Sequence, residues 1–90
     1  MKTENSHSRN QMLEKRLDLL RREVAGQLVD LPCPDCGQNR IAVWYTHPAP
    51  ADFRTWFVCD NCRFEMRAQN TDQPQHYSLD RDRTGHPVAT

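Results

Sequence analysis

Glycine is scarce in this chain, three in ninety residues. No stretch gathers them into a loop whose backbone N–H groups cradle phosphate. No apolar run approaches the ~20 residues that span a bilayer. The N-terminus lacks the basic start, apolar stretch and small-residue cleavage site of a secretory signal. Net charge of either sign is missing, because twelve basic residues balance twelve acidic ones. The whole-molecule field that draws generic polyanion binders is therefore absent, and any nucleic-acid contact needs a local basic surface. No nucleophile–base pattern and no internal repeat is visible, so an enzyme is the least supported class. No cysteine is left over either: Cys33-Pro34-Asp35-Cys36 and Cys59-Asp60-Asn61-Cys62 use all four.

That last fact governs the rest. Two residues between paired cysteines let one tight turn present both sulfurs to one metal, and four soft ligands suit a tetrahedral d¹⁰ cation. One structural Zn²⁺ held by Cys33, Cys36, Cys59 and Cys62 is the expectation, with iron as the alternative in a four-sulfur site. Four protein ligands leave no open position for water, which favours scaffolding over catalysis. A redox CxxC would sit at a helix N-terminus in a βαβ context, and neither pair does. His47 stands far from either pair and reads as an exposed turn residue before Pro48. A reducing cytoplasm keeps thiols free for metal, so a cytoplasmic protein without membrane attachment is expected. Ionising four thiols around one divalent cation adds two negative charges, leaving the loaded protein mildly acidic.

Four zones follow along the chain. Residues 1–8 are polar and read as a flexible N-terminus. Residues 9–30 read as an amphipathic helix, running from about Arg9 to Ala25 and capped by Ser8 with Gln11. Leu13, Leu17, Leu20 and Val24 share one face of it. Residues 31–68 hold nearly all the aromatics and form the expected core, with strands at Ile41–Thr46, Arg54–Val58 and Arg63–Ala68 and a proline-bearing loop at 47–52. A core of roughly 40 residues needs a metal, a disulfide or a partner to stay folded. Residues 69–90 are polar and expected to be disordered, and Asp80-Arg81-Asp82-Arg83 reads as a solvated mixed-charge run.

Leu31-Pro32-Cys33-Pro34-Asp35-Cys36-Gly37 resembles the first knuckle of CPxCG-type zinc ribbons. Thr55-Trp56-Phe57-Val58-Cys59-Asp60-Asn61-Cys62 resembles the second strand and knuckle in the C-terminal ribbon of transcript-cleavage elongation factors. The resemblance covers fewer than half the residues. It implies a small zinc-stabilised β fold, a three-stranded antiparallel ribbon carrying an N-terminal amphipathic helix. Those factors place an adjacent Asp-Glu pair in the hairpin loop to help hold a catalytic metal. Here Asp52 is followed by Phe53, so the acidic pair is missing and transcript cleavage is not expected. Arg63 also stands where the family usually has glycine.

The expectation is a non-catalytic zinc-ribbon binding module. It is first a protein-interaction adaptor or regulator on transcription or translation machinery such as RNA polymerase. The alternative is a nucleic-acid-binding regulator. For the latter, Trp44 and Trp56 on neighbouring strands, with Arg40, Arg54, Arg63 and Arg67 nearby, suit base stacking. For the former, the helix face of Leu13, Leu17, Leu20 and Val24 is the candidate surface. It either docks on its own ribbon or pairs antiparallel with a second copy. Such a pair aligns Leu13 with Val24, Leu17 with Leu20, Glu14 with Arg21 and Arg16 with Glu23. Monomer and helix-mediated dimer both remain open.

Overall fold

The computed structural model describes residues 2–84, with residues 2–10 described by their backbone alone. Helix α1 spans Lys2–Val24. It starts before Ser8 rather than after it, because no glycine or proline interrupts this stretch and extending a helix is cheaper than starting one. The helix ends in a Schellman cap. Gly26 N–H donates to the Glu23 carbonyl at 3.0 Å and Gln27 N–H to the Arg22 carbonyl at 2.9 Å. Gly26 adopts φ +94°, which a side chain would strain.

The sheet has four antiparallel strands in the order β1 (Leu31–Pro32), β2 (Asn39–Ala49), β3 (Asp52–Cys59), β4 (Glu65–Asn70). The expectation was three. The extra strand is two residues long and pairs Leu31 with Ile41 and Pro32 with Asn39. Pro32 is tolerated because it sits on an edge where its missing N–H is not needed. The central hairpin is longer than the sequence pattern indicated. His47 and Pro48 belong to β2 at an irregularity between Thr46 and Ala49, which leaves Pro50 and Ala51 as the turn.

Strand alternation sorts the faces. Ile41, Val43 and Tyr45 of β2 and Phe57 and Cys59 of β3 are buried with Leu31 and Leu19. Ala42, Trp44 and Thr46 of β2, and Arg54, Trp56 and Val58 of β3, point the other way and are half-buried.

The helix docks on the core, but not by the expected face. Leu19 is fully buried and Glu23 is buried, whereas Leu13, Leu17 and Val24 are exposed and only Leu20 packs partly against the core. Periodicity finds the apolar stripe, yet a neighbouring row makes the contact. The reason is a polar latch. The Tyr45 hydroxyl donates to Glu23 Oε2 at 2.8 Å, both residues being buried. Burial, reinforced by the Glu23 carboxylate, pushes the Tyr45 phenol well above its ordinary range. Three residues of the antiparallel self-pairing pattern have contacts within the chain. Glu23 is spent on Tyr45, Arg16 lies over the Phe64 ring at 5.8 Å, and Leu20 is partly covered.

The stretch expected to be disordered is ordered as far as Thr84. Gln69 and Asn70 complete β4, a 3₁₀ turn covers Leu79–Arg81, and Asp82 bridges in parallel to Tyr45 of β2. Tyr77 anchors it, with its ring edge-on to Tyr45 at 5.7 Å and to Phe53 at 5.8 Å. One aromatic residue at the right place outweighs the polar composition around it. Residues 85–90 lie outside the described residues.

Candidate metal centre and tryptophan face

The four cysteines come together from two turns. The first lies between β1 and β2 and the second between β3 and β4, so the antiparallel register that opposes Ile41 to Cys59 brings both turns to one end of the sheet. Cys33 N–H donates to the Gln38 carbonyl and Cys59 N–H to the Phe64 carbonyl, both at 2.9 Å, which closes each turn. Each turn leaves in a left-handed conformation, at Gly37 (φ 77°) and at Arg63 (φ 71°). Arg63 thus adopts the backbone conformation that glycine adopts in the first turn, at a steric cost of roughly 1–2 kcal/mol.

All four sulfurs lie within 4.8 Å of one another. Cys33 Sγ is 3.5 Å from Cys62 Sγ and Cys36 Sγ is 3.8 Å from Cys59 Sγ. A tetrahedron with metal–sulfur bonds of ~2.3 Å has edges of about 3.8 Å. The spacing fits a single metal site and is far too long for disulfides, which need ~2.05 Å. Backbone N–H groups already point at the sulfurs. Asp35 and Cys36 donate to Cys33 Sγ at 3.3 and 3.4 Å, and Asn61 donates to Cys59 Sγ at 3.3 Å. The Asn61 side chain reaches Cys36 Sγ at 3.4 Å.

Without metal the thiols differ in acidity. The Asn61 amide, with the backbone at Gln38, lowers Cys36 to about 6. Burial pushes Cys62 up to about 12 and also raises Cys33. A cluster that holds protons at two positions and readily yields a thiolate at another is poised to exchange those protons for a cation.

The six sequence-nominated partner residues separate. Trp44 sits directly opposite Trp56, and Trp56 opposite Arg67, in one row across β2, β3 and β4 on the solvent side of the sheet. Arg54 lies in the next row, between Thr46 and Gln69. Arg67 lies over the Trp56 ring at 5.6 Å, and Trp56 Nε1 donates to Thr46 Oγ1 at 2.8 Å. Arg40 is instead paired with Asp60 at 2.7 Å near the metal end, and Arg63 is held in the second turn. Between the tryptophans lies a pocket of ≈ 200 Å³, which Val58, Glu65 and Arg83 also line. That is below the ~300 Å³ of typical small-molecule sites and suits a single planar group.

Two arginines on this face were not foreseen. Arg83 lies over the Trp44 ring at 3.9 Å and Arg81 at 5.5 Å. Arg81 closes the 3₁₀ turn and Arg83 follows the buried, extended Asp82, so the two reach Trp44 from different local conformations and no strand-like alternation in the sequence signals it.

Asp52, the surviving acidic position of the hairpin, is fully engaged. Arg54 donates to it at 2.8 and 3.2 Å and Gln69 at 3.0 Å. The Arg54 contact, against some burial, holds its carboxyl below the usual range. Phe53 is buried and stacked on His47 at 3.8 Å. His47 is therefore a half-buried packing residue rather than an exposed turn residue. Its backbone N–H donates to Thr84 Oγ1, and its Nε2 is buried without a partner among the described residues. It is not part of the cysteine cluster.

Among the described residues no helix is long and apolar enough to cross a membrane. Comparison with protein-family models, with curated proteins and with solved structures finds no match for this chain.

Proposed function

We propose that the chain is a non-catalytic zinc-ribbon binding module that uses its tryptophan face to bind single-stranded nucleic acid. One structural Zn²⁺ on Cys33, Cys36, Cys59 and Cys62 holds the two turns, and through them the sheet. The observation that carries the reading is the row Trp44–Trp56–Arg67 on the solvent side, with Arg81 and Arg83 over Trp44. Two adjacent indoles offer stacking to consecutive bases on the ring area that the arginines leave uncovered, and the guanidinium groups over the rings meet phosphate. The balanced net charge restricts this attraction to one face. Its setting, in line with the ribbon resemblance, is regulation on transcription or translation machinery. The absence of a free acidic pair and the closed four-sulfur ligand set support a binding role over a catalytic one.

The test is fluorescence anisotropy with a labelled single-stranded oligonucleotide of mixed sequence over a salt series. Binding is expected to weaken as salt rises. Trp44→Ala and Trp56→Ala are each expected to cost about 1–3 kcal/mol. No binding at low salt, or binding indifferent to both substitutions, refutes the reading. Preference for a proline-rich peptide over the oligonucleotide also refutes it.

The helix supports a second reading, a protein-interaction adaptor. Leu13, Leu17 and Val24 are exposed on one stripe. A groove of ≈ 800 Å³ beside Leu17 is closed on its other side by Pro32 of β1 and Pro34 of the first turn. An amphipathic partner helix fits such a surface. Leu13→Asp and Leu17→Asp are expected to abolish that association and to leave oligonucleotide binding intact.

A further inference from the structure

The segment from Tyr77 to Thr84 lies along the open edge of β2. Beyond Ile41, β1 no longer covers that edge. Its backbone groups are met by other donors and acceptors. The Val43 carbonyl accepts from Arg81 Nη1 at 2.8 Å, the Tyr45 carbonyl accepts from Arg83 N–H at 2.8 Å, and His47 N–H donates to Thr84. Asp82 is the anchor of this strap. It is buried, and its carboxylate accepts from the Tyr77 hydroxyl and, at 2.6 Å, from Thr84 N–H. With Asp82 turned inward, the flanking arginines fall on Trp44.

A guanidinium held over an indole still has several N–H donors with which to meet phosphate. Arg83 and Arg67 make no ion pair among the described residues. Arg81 spends one donor on Val43, which fixes its position, and keeps the rest. Guanidinium groups thus frame the tryptophan pair from both sides, Arg67 from β4 and Arg81 with Arg83 from the strap. Neither sheet nor strap makes this arrangement alone.

Building on the nucleic-acid reading above, we infer that the strap is the phosphate-binding arm of the tryptophan face. Arg81 and Arg83 contact the backbone of the single strand stacked on Trp44 and Trp56, and Asp82 and Tyr77 are positioning residues that hold the arm in place. Glu65, which also lines the pocket, repels phosphate and so favours a strand whose backbone runs on the arginine side.

The experiment uses the full-length, zinc-loaded chain and the same labelled oligonucleotide. Arg81→Ala/Arg83→Ala is expected to lower the slope of log K against log salt by about 1.4, since each contact to a single strand contributes about 0.7. Asp82→Asn and Tyr77→Phe, which touch no nucleic acid, are expected to weaken binding in the same direction with metal content unchanged. A second readout needs no ligand. Trp56→Phe leaves Trp44 as the only tryptophan. In that background Asp82→Ala is expected to shift the Trp44 emission and raise its quenching by acrylamide. If the tryptophan variants lose binding while all strap variants match the parent in affinity and slope, the inference fails and the nucleic-acid reading stands. If releasing the strap strengthens binding, the strap is a lid and the inference fails. If the parent chain binds no oligonucleotide at low salt, reading and inference fall together.

Discussion

Leu19 and Leu17 are two residues apart on the same helix and separate two accounts of how that helix is used. Leu19 is completely buried against Leu31 and the sheet, while Leu17 is 39% exposed. Truncating a fully buried leucine removes its transfer energy and leaves a cavity, at about 2–5 kcal/mol. For a domain of this size each kcal/mol moves the midpoint by about 4–8 °C, so Leu19→Ala is expected to lower it by roughly 10 °C or more. Leu17→Ala is expected to stay within about 0.5 kcal/mol, because little area is lost and alanine suits a helix. Thermal and urea unfolding of the zinc-loaded protein, at low micromolar concentration so that self-association contributes nothing, measures both. Hydrogen exchange near the helix C-terminus reports undocking short of full unfolding. Equal destabilisation by the two variants, or a larger loss from Leu17→Ala, refutes the docking through Leu19 and restores the stripe of Leu13, Leu17, Leu20 and Val24 as the inward face.

Further outcomes are expected of the metal centre and the polar latch. With the proposed Zn²⁺ in the four-cysteine site, metal binding contributes on the order of 10–16 kcal/mol of apparent energy, so a strong chelator in reductant is expected to erase the near-ultraviolet dichroism of the aromatic core. Metal uptake must displace the protons held by Cys33 and Cys62, so affinity is expected to fall by about two log units or more per pH unit on acidification from neutrality, and more steeply below pH 6 where Cys36 also regains its proton. Competition with a chromophoric chelator between pH 5.5 and 8 checks this, and a pH-independent affinity contradicts it. Tyr45→Phe leaves the buried Glu23 carboxylate without its donor and is expected to cost about 2–3 kcal/mol, with Glu23→Gln costing less. The phenol's raised pKa means that its stabilising contribution is complete below its ordinary value near 10 and is lost as pH rises above it. Urea midpoints of the parent protein and the Tyr45→Phe variant are expected to converge from pH 7 to 11.

Much of the site's framework could be read from residue order. The CxxC pairs announce a shared four-sulfur centre because two intervening residues make one turn with both sulfurs on the same side. The alternation of Ile41, Val43 and Tyr45 with Ala42, Trp44 and Thr46 separates core face from solvent face, because side chains alternate along any extended strand. Placing Trp44 and Trp56 on adjacent strands follows from the same rule. The helix boundary at Ser8 was misplaced because a capping pattern is only one way to begin a helix, and nothing in residues 2–7 stops one.

Other features depend on contacts distant in sequence. Which row of the helix turns inward is decided by Glu23 meeting Tyr45, a pair that no helical period encodes. The path of the tail is decided by Tyr77 finding Tyr45 and Phe53, and by Asp82 finding the open edge of β2. Composition counted those residues as polar and therefore solvated. Local pattern fixes what the backbone does over a few residues, because sterics and hydrogen bonding act at that range. The convergence of Arg81 and Arg83 on Trp44 is a matter of packing between segments nearly forty positions apart, and only the folded chain brings them together.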